Sequence, residues 1–297
     1  MSAPTDLADG LLLKVTTSRS RRVKNKLATV WMIGSLVVVV IPLAFILYYV
    51  VSKGAAVISG DWFSQEIAPS ARREGGGMGP AIVGTLVITG GAALLAVPLG
   101  VSAAVYLNEY GGPGRLARLI RFMSDVMTGV PSIIMGLFVY TVWTLRFGLS
   151  GIGGALALAA LMLPIVIRST EEMLKLVPDE LRHGSYALGN RKWRTILTVV
   201  LPAALAGITS GVMLAIARAA GETAPLLFTV GAARAFNANI FDGVNTALSL
   251  QIWTNAQQPF VPAQDRAWGA ALTLVVIVFV FTVLARIVAG RLSLNTR

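Results

Sequence analysis

The sequence predicts an all-α integral membrane protein of six transmembrane helices, and three observations carry that prediction. Only 13% of the 297 residues are charged, 55% are hydrophobic, and the mean hydropathy is +0.73. An ordinary soluble domain carries about 25% charged residues, so this chain lacks the polar surface to hold a globule in water. Six stretches free of Asp, Glu, Lys and Arg are each long enough to supply the roughly 20 residues a helix needs to cross the hydrocarbon. They far exceed the roughly 10-residue strands of a membrane barrel and do not alternate, and a helix satisfies its own backbone in lipid.

Taken in order, the expected spans are 27–52, 75–108, 126–145, 147–167, 195–217 and 267–285. A polar cytoplasmic segment, 1–26, precedes the permease body, 27–297, and carries basic residues from Lys14 to Lys26. A basic segment before an apolar run resembles a signal peptide. The run is longer than an h-region of about 7–15 residues and shows no evident small-residue cleavage site, so an uncleaved anchor is expected. The first external loop contains Gly75-Gly76-Gly77. It lacks the Gly-Lys-Ser/Thr ending of a phosphate loop and follows no strand, which leaves a flexible connection. Pro98 in the second span and Pro131 early in the third predict kinks. The last external connection, 231–266, has few charges and holds Phe236, Phe241, Trp253 and Phe260. Aromatic residues favour the membrane interface, and the pattern leaves open whether this segment lies on the membrane or re-enters it.

Charge sets the orientation. Eighteen of the 25 Lys and Arg residues fall in the N-terminal segment, the second-to-third and fourth-to-fifth connections and the tail, against six in the other connections. The positive-inside rule then places both termini in the cytoplasm. Topology and anionic lipid account for the net charge of +11, and no nucleic-acid partner is expected. The absence of cysteine excludes a disulfide framework, a thiolate metal site and a cysteine nucleophile. The spans hold no serine–histidine pair, paired aspartates or metal-ligand cluster, which argues against an intramembrane hydrolase.

The cytoplasmic connection, about 168–200, is longer than a helix–helix connector needs. It reads as two short helices, 170–177 and 179–188, broken at Pro178, with a turn at Gly189-Asn190 before the climb to Leu201-Pro202. Asp179 and Glu180 suit the first turn of a helix and Gly189 suits a helix C-cap. A compact helical loop of this kind reads as a docking surface.

Two charges expected inside the bilayer follow directly on the charge-free run 195–217. Arg218 and Glu222 lie four residues apart, on one helical face. Burying either at a span centre costs about 2.5–3.5 kcal/mol, and a 4 Å ion pair returns about 4 kcal/mol at an effective dielectric of 20, before entropy and desolvation. One reading is a self-neutralised pair that only stabilises the bundle. The other is that Arg218 faces a translocation path, where its planar fork matches an oxyanion and Glu222 keeps the hold weak enough for release. Arg168, at the inner end of the fourth span, is a second candidate, against ordinary snorkelling.

Motifs narrow the class. His183-Gly-Ser-Tyr-Ala-Leu-Gly189, nine residues, then Val199-Val-Leu201-Pro202 resembles the cytoplasmic EAA loop of bacterial ABC-importer permeases. Gly189, Leu201 and Pro202 keep its spacing, and His183-Gly184-Ser185 stand where Glu-Ala-Ala is usual. Gly129-Val-Pro-Ser-Ile-Ile-Met-Gly-Leu-Phe138, Leu163-Pro-Ile-Val-Ile-Arg-Ser-Thr-Glu-Glu-Met-Leu-Lys-Leu-Val-Pro178 and Ala217-Arg-Ala-Ala-Gly-Glu-Thr-Ala-Pro-Leu-Leu-Phe228 are similar to the phosphate importer permeases, most of all the A-type (PstA) family.

The resemblance implies a type I ABC importer permease (MetI-like) fold in a bacterial plasma (inner) membrane, carrying inorganic phosphate. It implies a sister permease (PstC), a PstB-type ATPase dimer holding ATP and Mg, and a PstS-type external phosphate-binding protein; this chain itself has no nucleotide site and is not an enzyme. The resemblance implies a substrate path at Arg218, Glu222, Arg168, Thr223 and Ser132. It implies ATPase coupling through Glu180, His183, Gly184, Ser185, Ala187, Leu188 and Gly189, with no catalytic residue, metal or cofactor on this chain. A permease for another oxyanion (sulfate, molybdate, phosphonate) and a channel or ion-coupled transporter without ATPase subunits are the alternatives.

Overall fold

The computed structural model of the chain describes residues 19–294, and all their regular structure is helical. Lys14, Arg297 and the first part of the 1–26 segment lie outside the described residues. The chain divides into two compact units at Tyr49/Val50. The first, where described, is one stretch of helix, the larger part of α1 (Arg19–Ala55). The basic cluster 19–26 is therefore helical and continuous with the first span. A lone helix exposing Trp31, Val38 and Phe45 has no core of its own, as expected of a segment that lipid or another chain covers.

The second unit holds the remaining helices. These are α2 (Asp61–Ser64), α3 (Gly79–Val105), α4 (Arg115–Gly129), α5 (Ser132–Val139), α6 (Leu145–Phe147), α7 (Gly151–Lys175) and α8 (Asp179–Ala187), then α9 (Lys192–Thr195), α10 (Leu201–Gly221), α11 (Ala224–Thr229), α12 (Leu248–Ala256) and α13 (Val261–Leu294). Single π turns, Tyr106–Tyr110, Tyr140–Thr144 and Ile196–Val200, extend α3, join α5 to α6 and join α9 to α10. Five helices are long and apolar enough to cross a membrane, and a bent pair makes a sixth if it counts as one span.

The bent pair corrects the third expected span, 126–145, which is not one helix. α4 and the α5–α6 run meet at 106°, with Val130 and Pro131 extended at ψ 126° and 136°. Proline carries no N–H and pushes the preceding residue out of the helical region. α4 begins well before the apolar stretch and carries Arg115, Arg118 and Arg121 along its length, so a search for charge-free runs missed most of it. α3 and α7, by contrast, run on through Pro98 and Pro164. The expected separate helix 170–177 is the end of α7, which continues to Lys175 and buries Thr170, Glu171 and Leu174.

Small residues hold the bundle close. Ala92 and Ala96 of α3 pack with Ala155, Leu158 and Met162 of α7 and with Ala215 and Ala219 of α10. A Cβ on Gly100 would come within 2.7 Å of Val166 Cγ1. The 231–266 segment is built into this unit: α12 buries Leu248, Leu250 and Asn255, the Leu248 N–H donates to Thr85 Oγ1 at 2.8 Å, and Gly84 lies against the Thr246 carbonyl.

On the face expected to be external, Trp62 is 1% exposed and donates through Nε1 to Thr273 Oγ1 at 2.9 Å. Arg266, 3% exposed, clasps the loop before α3. Its Nη1 donates to the carbonyls of Arg73 (2.6 Å) and Gly75 (3.4 Å), and its Nη2 to those of Ser70 (3.3 Å) and Ala71 (3.2 Å).

Candidate functional site

Two helix breaks lie side by side. α10 ends at Gly221, where Glu222 turns extended (φ −70°, ψ 129°), and α11 restarts at Ala224 with Pro225 in its first turn. A proline there fits, because the first N–H groups of a helix have no internal partner. Across from it, α5 starts at Ser132 just after the Pro131 bend. Gly136 lets the two meet: a Cβ there would fall 2.5 Å from Pro225 Cα.

Beside these breaks is a cavity of about 280 Å³, lined by residues 127–132, by Leu161, Pro164 and Ile165 of α7, and by Arg218. It brings together Arg218 and Ser132 of the residues expected in the path. Arg218 is 67% exposed by its side chain and meets Glu222 through a single contact, Nε to Oε1 at 3.5 Å. That is one nitrogen at the edge of hydrogen-bonding range, not the bidentate fork of a strong pair. Glu222 is 18% exposed and its carbonyl accepts from Ser249 Oγ at 3.0 Å. Glu222 and Thr223 do not line the cavity; Thr223 sits in the break, and its carbonyl accepts from Leu226 and Leu227.

Arg168 lines a neighbouring cavity of about 350 Å³, with Arg121, Ser124, Asp125, Glu171 and Lys175. It forms an ion pair with Asp125 of α4, and Glu171 accepts from Arg121 at 3.1 Å and faces Lys175 at 3.4 Å. Both cavities run between α4 and α7. Ile165 in the first and Arg168 in the second are three residues apart, about 4.5 Å along a helix. The residue missed from sequence is Asp125. Asp125 offered no signal, because its partner lies in another helix.

Further along, α7 ends near Pro178 and α8 begins, as the turn signals predicted. Gly189 takes φ +79°, a left-handed conformation open to glycine at no steric cost. Glu180, His183, Gly184, Ala187, Leu188 and Gly189 are exposed, with Leu188 at 84%. Ser185 is buried instead: its hydroxyl lies 2.8 Å from Thr195 Oγ1 and accepts from Asn190 Nδ2 at 3.3 Å, which ties the hairpin together. No group of three or more His, Asp or Glu side chains among the described residues is placed to hold a metal ion.

The chain is 48% identical over 262 residues to the phosphate transport system permease protein PstA 1 of Mycobacterium tuberculosis, covering 87% of this chain and 86% of that protein. This chain belongs to the PstA family. A second PstA relative, from Yersinia pestis, is 41% identical over 272 residues, 91% of this chain and 92% of its own. The family model for the binding-protein-dependent transport system inner membrane component matches residues 96–296.

Solved structures place the PstA-family fold among ABC importer permeases. An inward-facing structure of the MetNI methionine ABC transporter aligns with TM-score 0.56 and 18% identity over 73% of this chain and 94% of that one. A bacterial ABC transporter that imports the acidic polysaccharide alginate aligns with TM-score 0.55 and 13% identity over 91% of this chain and 99% of that one.

Proposed function

We propose that this chain is a membrane subunit of an ATP-driven importer of inorganic phosphate, and that phosphate passes Arg218 in the cavity beside the two helix breaks. The carrying observation is that guanidinium: strongly exposed, loosely paired and lining a cavity with Ser132 at a helix start. An arginine on a span is costly against lipid and stable against water or another chain. Broken spans aim the unpaired N–H groups and positive dipole end of a half-helix at an anion. Ser132 adds a hydroxyl donor, and Arg218 adds charge with donors matched to phosphate oxygens.

Arg168 is a second station on the inner side. Asp125 occupies it when phosphate is absent, so the anion must displace a carboxylate to bind and is displaced by it on leaving. Glu222 plays the corresponding part beside Arg218, and Thr223 gives the break its backbone freedom. Sites of this kind hold an ion weakly enough to pass it on.

Energy enters from outside the chain, through the α8 hairpin. Its exposed apolar residues Leu181 and Leu188, with Leu176 at the end of α7, suit a groove on an ATPase subunit, ATP and Mg staying with that partner. A sister permease completes the path, an external binding protein delivers phosphate, and both termini lie in the cytoplasm.

The test is uptake of labelled phosphate by cells carrying Arg218→Gln. Uptake is expected to fall to background while the chain still inserts and copurifies with its partners. Normal uptake removes Arg218 from the path. Competition by sulfate, molybdate or phosphonate at low excess would reassign the anion.

A further inference from the structure

Arg182 of α8 is the most heavily bonded side chain at the cytoplasmic end of the bundle, and its partners lie on three different elements. Its Nε and Nη2 donate to Glu109 Oε1 at 3.3 and 2.9 Å. Nη1 donates to the Val177 carbonyl at 2.6 Å and to Asp179 Oδ1 at 3.1 Å, and Nη2 also donates to the Leu174 carbonyl at 3.0 Å. All five N–H groups of the guanidinium are thereby used. The pair is buried, with side chains 11% and 5% exposed, so it is screened far less than a surface ion pair.

The geometry makes one rigid node. Leu174 lies in the last turn of α7 and Val177 two residues past its end, in the turn into α8. Glu109 belongs to the π turn that ends α3. Lys192, on the other arm of the hairpin, donates to the Glu109 carbonyl and sits 4.7 Å over the Tyr110 ring. The end of α3 is therefore gripped from both sides of the hairpin. α3 and α7 both pack small residues into the main core, so a push on α8 reaches that core directly through this node.

We infer that Arg182 and Glu109 are positioning residues that transmit movement of α8 to α3 and α7, and that without them ATP hydrolysis runs without transport. This rests on the reading of α8 as the ATPase docking element. Lysine in place of Arg182 keeps the charge but supplies three donors from one point, too few to hold three elements. Glutamine in place of Glu109 keeps shape and one acceptor oxygen but removes the charge.

The test uses the purified complex of both permeases with ATPase subunits, reconstituted in proteoliposomes with the external binding protein. Arg182→Lys and Glu109→Gln are compared with wild type for bound ATPase subunits, ATP hydrolysis and phosphate carried per ATP. Both variants are expected to keep their ATPase subunits and to hydrolyse ATP at close to the wild-type rate. Phosphate per ATP is expected to fall about tenfold or more, within the usual range of coupling between distant sites. A wild-type ratio in either variant overturns the joint alone. Loss of ATPase subunits from both also overturns it, because the pair then only shapes the docking face. A wild-type bundle that holds no ATPase chains overturns the docking reading and the joint with it.

Discussion

Arg266→Met removes the clasp on the loop before α3, expected to be external, while keeping an unbranched apolar stem. Four carbonyls lose their donor, and the four distances are unequal. The 2.6 Å bond to Arg73 is firmly formed, those at 3.2 and 3.3 Å to Ala71 and Ser70 are weaker, and the 3.4 Å contact to Gly75 is marginal. A hydrogen bond to a charged group contributes about 1.5–3 kcal/mol. Ser70, Arg73 and Gly75 are exposed, so their carbonyls rehydrate once freed, which keeps the cost to roughly one strong and one weak bond. Burying Arg266 with its Nε unpartnered already carries a penalty that methionine relieves. The net local cost is therefore about 2–4 kcal/mol, which raises the open population of the loop about 30- to 700-fold at one decade per 1.4 kcal/mol.

Trypsin reads that population, because Arg72 and Arg73 are its sites and cleavage follows the open fraction when reclosing is fast. Trypsin added to the external side of sealed vesicles is expected to cut at 72–73 far faster in Arg266→Met than in wild type. Equal rates would show that the loop is held by something other than this guanidinium.

Asp125→Asn leaves Arg168 without its carboxylate competitor, so phosphate is held more tightly there; KM for uptake is expected to fall and maximal rate to fall with it, as read from initial uptake rates. Gly189→Val forces a β-branched residue to φ +79°, at about 1–2 kcal/mol, and is expected to weaken retention of ATPase subunits on purification, while Gly189→Asn retains them. Trp62→Ala empties a site that is 1% exposed; a loss of about 3–5 kcal/mol is expected, measured as a fall in melting temperature in detergent with α8 docking unchanged.

Much of the fold was legible in composition, because the bilayer imposes length and apolarity on any helix that crosses it. α1 and α13 each contain an expected span, α3 with its π turn covers the expected 75–108 from residue 79 onward, the run from α9 through its π turn to α10 covers 195–217, and the turn at Gly189 followed from its residue type. The third span was not legible as drawn. A charge-free window reads Gly129 to Leu145 as continuous, whereas Val130 and Pro131 break it, and the helix that leads in is amphipathic.

The fourth span was cut short for the opposite reason. α7 carries Arg168, Glu171 and Lys175 beyond the apolar run; Asp125 and Arg121 of α4 answer the first two, and Lys175 pairs with Glu171 and Glu172 of α7 itself. Arg218 stood out because a charge on a span is rare. Arg182 did not, because a basic residue in a loop between spans is ordinary, and its partner Glu109 lies 73 residues away. Pairings of that kind are set by tertiary packing and leave no local pattern.

The cysteine-free sequence allows the most direct measurement of whether position 218 faces a water-filled path. In the assembled complex, Arg218→Cys is treated with a charged, membrane-impermeant methanethiosulfonate and modification of this chain is read by mass, with Ala215→Cys, on the same helix but fully buried, as the control. Position 218 is expected to be modified at a rate that changes when ATP is added, and position 215 to stay unmodified. A cysteine at 218 that stays as inert as the one at 215, with and without ATP, would mean that the guanidinium lies against lipid or packed protein and that the anion takes another route.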